Sequence, residues 1–138
     1  MLAVEPPAAH IFAMIRSLFL VALISCLSLT APARGADSVG AFEADLQRLS
    51  EILGALHYLR GICNANEGSK WRDELQALME AEAQTPERRA KMVASFNRGY
   101  SGFQQTYRTC TPAAEIAVRL YLDEGAKISR EITARYTN

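Results

Sequence analysis

Cysteine is the residue type whose spacing in this chain says most about chemistry. There are three cysteines, Cys26, Cys63 and Cys110. Cys63 and Cys110 lie far apart and form no Cys-x-x-Cys motif, so a redox-catalytic pair is not indicated. In an exported chain two such cysteines are most simply a disulfide, and two free buried thiols are the alternative.

Histidine and the known catalytic motifs point to no reaction. His57 is the only histidine after residue 36, and no cysteine or carboxylate pair accompanies it at the spacing of metal ligands. The chain contains no Gly-rich phosphate loop, no Gly-x-Ser-x-Gly and no His-Glu-x-x-His. We therefore predict no catalytic residue, no metal site and no cofactor. His57 is expected at the rim of a helical apolar face, where a histidine can titrate near neutral pH.

A strip of polar side chains is the first candidate partner surface. Four residues at helical spacing form it: Asn97, Ser101, Gln104 and Arg108. A solvated helix face is usually rich in Glu and Lys, so this composition predicts a partner or ligand surface, with an ordinary solvated face as the alternative. Gly99 and Gly102 in the same stretch each weaken a helix by about 1 kcal/mol relative to Ala. We expect a close approach of another helix to compensate.

Apolar residues on two sides of the last helix give the second candidate partner surface. Ile116 and Leu120 point almost opposite to Val118 and Leu122 at 100° per residue. Either this end of the helix is deeply buried, or one face meets another chain.

Composition limits the class of protein. The chain has 138 residues, and its 15 basic and 15 acidic residues give a formal net charge of zero. That balance argues against a strongly basic nucleic-acid binder, so nucleic acid is not an expected partner. A hydrophobic fraction of 49% excludes disorder of the whole chain. The length accommodates one domain, or one domain and a targeting segment.

Residues 1–36 are predicted to be a secretory signal peptide. The apolar run Leu18–Leu29 follows Arg16 and precedes a stretch of small residues. Because about 20 apolar residues are needed to cross a bilayer, no membrane span is predicted. Translation from Met14 would give a more typical beginning. A lipid anchor at Cys26 is the less favoured alternative, since apolar residues continue past the cysteine.

Residues 37–138 are predicted to form a single helical domain. Apolar residues recur at spacings of three and four, which is the helical period, and divide the segment into four helices. Thr85-Pro86 and Thr111-Pro112 each supply an N-cap residue followed by proline at the first helical position. These two pairs mark the starts of the third and fourth helices.

The predicted topology brings two cysteines together. The first helix is expected to begin after Asp37 or Ser38 and to end near Cys63, the second is short, and the third runs to Cys110. Short connections favour antiparallel neighbours, so the sequence predicts an all-α, antiparallel four-helix bundle. In that bundle Cys63 and Cys110 lie at the same end. A disulfide between them would contribute on the order of 4 kcal/mol in the chain-entropy model.

Three segments carry a resemblance to a known family: Leu53–Cys63, Trp71–Leu75 and Phe96–Tyr136. On these segments the chain resembles an uncharacterised family of small secreted alphaproteobacterial proteins, a domain of unknown function. The resemblance covers nearly the whole helical domain and implies a periplasmic location. A looser similarity, to acid-activated periplasmic chaperones and secreted immunity proteins, rests on the step from Gly99 to Gly102 and on a cysteine before a Thr-Pro helix start.

Together these patterns predict a non-enzymatic periplasmic helical protein that acts through protein–protein contacts at the cell envelope. The alternatives are a periplasmic chaperone of the acid or stress type, and an enzyme inhibitor or immunity-like binding protein. The expected partner is an unidentified protein of the cell envelope. A second copy of the chain, forming a homodimer, is a further candidate.

Overall fold

The computed structural model describes the backbone of residues 34–136 and the side chains of residues 38–135. Four helices make up this part of the chain: α1 Arg34–Ile62, α2 Lys70–Glu82, α3 Pro86–Thr106 and α4 Pro112–Tyr136. A disulfide joins Cys63 to Cys110. The predicted all-α, antiparallel four-helix bundle with a short second helix and one disulfide is confirmed. Met14, Cys26 and nearly all of the predicted signal peptide lie outside the described residues.

Both Thr-Pro pairs start helices as predicted. The hydroxyl oxygen of Thr85 accepts a hydrogen bond from the backbone N–H of Arg88 at 3.2 Å. The hydroxyl oxygen of Thr111 accepts in the same way from the N–H of Ala114 at 3.1 Å. Each threonine therefore satisfies one of the backbone donors that a helix leaves unpaired at its first turn.

The end of α3 differs from the prediction. The helix stops at Thr106, and Tyr107 has an extended backbone with φ −120° and ψ 123°. The Tyr58 hydroxyl on α1 donates a hydrogen bond to the Tyr107 carbonyl, which holds the chain in this turned-out path. Arg108 and Cys110 consequently lie in the connection between α3 and α4, not on α3.

The start of α1 also differs, because the helix begins at Arg34 and not after Asp37 or Ser38. Serine and aspartate cost only some tenths of a kcal/mol inside a helix, so neither of these residues has to act as a cap.

Two apolar clusters hold the bundle together, and α1 supplies side chains to both. The main cluster packs one face of α1 against α4: Leu46, Leu49, Ile52, Leu56, Leu59, Ala114, Val118, Ile128 and Ile132. The second cluster packs another face of α1 against α2 and α3: Leu53, Leu75, Met79, Met92 and Phe96. Full burial of one such side chain contributes about 1.5–3 kcal/mol. α1 is therefore the central helix of the bundle.

α1 and α3 approach each other so closely that their backbones touch. A Cβ placed on Gly54 would lie 1.9 Å from the carbonyl oxygen of Phe96, and one on Gly99 would lie 2.0 Å from that of Glu51. The close approach predicted for Gly99 is confirmed. It is wrong for Gly102, where a Cβ would meet nothing within 4 Å. Gly54 on the facing helix is the second glycine of the contact.

In the first turns of α3, the buried face is shifted by one residue from the face that the apolar spacing indicates. Val93 precedes Phe96 by three residues, a helical spacing that would place it in the apolar stripe, but it is 39% exposed, whereas Met92 is fully buried. Met92, Phe96 and Gly99 share one face at spacings of four and three, and Gly99 fixes that face against α1. Within the part of the chain that the structure describes, no helix is both long enough and apolar enough to cross a membrane.

The glycine contact predicts opposite effects for three substitutions. Gly54→Ala and Gly99→Ala should each lower the free energy of unfolding by about 2 kcal/mol, because a methyl group forces two backbones apart. Gly102→Ala should raise it by up to about 1 kcal/mol, since only the helix propensity changes there. Urea denaturation measures all three, and equal effects at Gly99 and Gly102 would contradict the close approach.

The disulfide closes a loop with a sequence separation of 47. Replacing Cys63 and Cys110 together by alanine should lower the free energy of unfolding by about 2–4 kcal/mol, mainly because the unfolded chain gains freedom. Urea denaturation of the native protein with and without reductant provides the comparison. The variant should not respond to reductant, and an unchanged denaturation midpoint in the variant would contradict this account.

Candidate functional site

The outer face of α4, defined by Ile116 and Leu120, is open to solvent. Ile116 is 49% exposed and Leu120 is 62% exposed, while Val118 on the opposite side is 7% exposed. Of the two alternatives left by the sequence, deep burial of this end of the helix is wrong. Leu122, expected in the core, is also 37% exposed. Two large apolar side chains one turn apart form a continuous apolar patch, and such patches are typical of interaction sites.

A strip of alternating charges runs beside these apolar residues. It consists of four exposed residues at intervals of four: Glu115, Arg119, Asp123 and Lys127. Among the described residues, none of the four takes part in an ion pair within 4.0 Å. We call these four residues the charge strip. Sequence reasoning missed it, although alternating signs at a spacing of four are visible in the sequence.

Glu124 of α4, unlike the charge strip, is paired with α1. Arg48 on α1 donates two hydrogen bonds to the Glu124 carboxylate, at 2.7 and 2.8 Å, and also pairs with Glu51 at 2.9 Å. Its guanidinium lies 5.2 Å from the ring centroid of Tyr121. The hydrogen bonds from Arg48 hold the pKa of Glu124 below its usual value, with a smaller contribution from the charge of Lys127. Glu124 therefore belongs to the contact between α1 and α4.

The polar strip predicted on α3 is present only in part. Asn97 and Gln104 are exposed and Ser101 is half-buried on α3. Arg108 is exposed but lies beyond the end of the helix, so it does not continue the strip along α3. The structure places Asn97, Ser101 and Gln104 on one helix. Their role as a partner surface stays a prediction.

A hollow of about 290 Å³ lies at the disulfide end of the bundle. Its walls mix charged and apolar side chains: Arg60, Cys63, Glu115, Val118, Arg119 and Leu122. Two residues of the charge strip therefore border this hollow. The outer face of α4 and the disulfide end thus form neighbouring parts of one surface.

Glu67 organises the connection between α1 and α2. Its carboxylate accepts hydrogen bonds from Arg60 at 2.9 Å and from the indole N–H of Trp71 at 2.7 Å, and Lys70 lies at 3.8 Å. Hydrogen bonding from Arg60, followed by that from Trp71, lowers the pKa of Glu67 to about 2. Because these groups are engaged with one another, the connection is a structural element and Arg60 carries a paired charge.

His57 lies between three helices. Its ring centroid is 5.8 Å from those of Phe96 and Tyr100 on α3, and its Nε2 is 3.4 Å from the guanidinium of Arg72 on α2. Its Nδ1 is buried and has no hydrogen-bond partner. Burial, and then the charge of Arg72, lower the pKa of His57 from its usual 6.5. This position makes His57 a packing residue that favours the neutral form.

The described residues bring together groups for binding more clearly than groups for catalysis. Cys63 and Cys110 are joined in the disulfide, and the Glu67 carboxylate is held by Arg60 and Trp71. Within residues 38–135, no three His, Cys, Asp or Glu side chains come close enough to hold a metal ion. The exposed apolar residues and the charge strip of α4 remain without partners.

The position of His57 predicts a pH dependence of stability. The folded state lowers its pKa, so stability is fully present above the unfolded pKa of about 6.5 and is lost as the pH falls toward the lowered pKa. Urea denaturation at pH 7.5, 6.5 and 5.5 should show this loss, with a slope of at most about 1.4 kcal/mol per pH unit. His57→Phe keeps the ring contacts and should remove the loss. If the free energy of unfolding of the variant had the same slope against pH, His57 would not be the cause of the loss.

Comparison with known proteins finds one family. The match extends over residues 41–136 and covers all of α2, α3 and α4 and most of α1. No curated protein matches the chain, and no solved structure matches it. The predicted resemblance to an uncharacterised family is confirmed, while the secreted and alphaproteobacterial features stay predictions. The chain belongs to the family described as protein of unknown function, DUF2385.

Proposed function

We propose that the protein is exported to the periplasm and acts there without catalysis, by binding another protein at the cell envelope through the outer face of α4. One observation carries the proposal. Among the described side chains, Leu120 and Ile116 are the first and third most exposed large apolar ones, at 62% and 49%, and they lie one turn apart on one helix. A partner that covered them would remove apolar surface from water at about 25 cal/mol per Å².

The opposite side of α4 supports this interpretation. Val118, Ile128 and Ile132 are buried in the main cluster, and Glu124 is held by two hydrogen bonds from Arg48. The helix is thus fixed before any partner arrives. A preformed surface loses little conformational entropy on binding, so more of the gain from burial is available as affinity.

The proposed location rests on the disulfide and on the N-terminal sequence. Cys110 is exposed and Cys63 is half-buried, so reductants of a reducing compartment would have access to the bond. Disulfides persist in exported proteins and are rare in the cytosol. The apolar run Leu18–Leu29 after Arg16 is typical of a secretory signal.

The absence of catalysis is part of the proposal because the two cysteines, Glu67 and the ring of His57 are engaged in structural contacts. Cys63 and Cys110 form the disulfide, and the side chain of His57 packs against aromatic rings. Glu67 bridges Arg60 and Trp71. These contacts account for groups that would otherwise be candidates for nucleophilic or acid–base chemistry.

Photocrosslinking in intact cells tests the proposal. A photoreactive phenylalanine derivative in place of Leu120 should give a covalent adduct with a protein after irradiation. The same derivative in place of Gln76, an exposed polar residue on α2, should give none. Adducts of equal yield at both positions, or no adduct at Leu120, would remove the support for a binding face on α4.

A further inference from the structure

We infer that the outer face of α4 binds the same face of a second copy of the chain, with the two α4 helices antiparallel and centred on the level of Tyr121. This inference rests on the proposed function and names the partner of the same surface. It is carried by the order of charges in the charge strip and by the apolar residues beside it.

The charge strip is self-complementary when one helix is reversed. In an antiparallel pair centred at Tyr121, a residue that precedes Tyr121 by a given number of positions lies level with the residue that follows Tyr121 by the same number in the second copy. Arg119 then lies level with Asp123 of the second copy, and Glu115 lies level with Lys127. Arg119 and Asp123 lie within about 40° of each other around the helix, so each meets an opposite charge in the second copy, whereas a parallel pair in register would place like charges together.

The apolar residues fit the same arrangement. By the rotation of 100° per residue, Ile116 and Leu120 lie along one edge of the charge strip and Leu122 lies along the other. A two-fold axis brings each edge against the same edge of the second copy. The two Leu120 side chains, and likewise the two Leu122 side chains, are then offset by only about 3 Å along the helix axis. The charge pairs lie between these leucine pairs and are partly shielded from water.

The order of its charges and the apolar residues beside it distinguish this surface, because other exposed charges of the described segment, such as Glu74, Glu87 and Arg130, also make no ion pair within 4.0 Å. Glu115 and Arg119, and also Asp123 and Lys127, are spaced to pair within one chain. Neither of these pairs comes within 4.0 Å. A single helix-to-helix contact buries less than the about 800 Å² per partner of a standard interface. We therefore expect a weak and reversible dimer.

Charge exchange tests the arrangement. Sedimentation equilibrium of the protein, expressed with its own N-terminal segment and with the disulfide intact, should show a reversible dimer. Arg119→Asp and Asp123→Arg should each weaken it about tenfold or more, because each replaces two attractive pairs by two repulsive ones. The double variant should regain affinity, since it restores opposite charges. Lys91→Asp on α3, an exposed residue away from this face, is the matched control and should have no effect.

The outcomes separate this inference from the proposed function. A monomer at all concentrations, or a dimer that tolerates either single charge reversal, would overturn the inference. A photoadduct of Leu120 with a different protein in a strictly monomeric chain would overturn the dimer and leave the binding function in place. If neither the photoadduct nor the dimer is observed, both the inference and the proposed function are contradicted.

Discussion

The contact between the α1 and α3 backbones at Gly54 and Gly99 is the constraint on which the rest of the bundle depends. Backbones that touch fix both the separation and the rotation of the two helices. That rotation puts Phe96 into the second apolar cluster and brings the Tyr58 hydroxyl to the Tyr107 carbonyl. α2 and α4 pack against the remaining sides of α1. Apart from the arginine pairs, specific polar contacts contribute little to this packing.

Three arginines link elements of the fold through ion pairs. Arg48, Arg60 and Arg88 each reach a carboxylate on another element or connection, and each pair holds α1 or its flanking segment in place. Partly shielded pairs of this kind contribute more than fully exposed ones. Within the part of the chain that the structure describes, the charge strip of α4 makes no ion pair of its own within 4.0 Å, so its side chains are available for recognition.

Periodicity and capping residues predicted most of the fold, because both act locally. The number of helices and the Thr-Pro starts depend on a few neighbouring residues. The end of α3 could not be predicted, since it depends on a tertiary hydrogen bond from Tyr58 to Tyr107. Gly54 and Met92 were missed for the same reason, as their importance comes from the facing helix. The candidate face was found through Leu120, but the charge strip was not, because each of its members alone is typical of a solvated surface.

The disulfide also determines how the bundle carries tension. Both ends of the helical domain lie away from the Cys63–Cys110 bridge, because α1 runs toward it and α4 runs back from it. A pull on these ends passes along α1, through the sulfur atoms and along α4, and bypasses α2 and α3. The bridge thus prevents the chain between the two cysteines, about 160 Å long when extended, from lengthening under the pull. Under load, the contacts between α1 and α4 break one after another, while α2 and α3 carry no force.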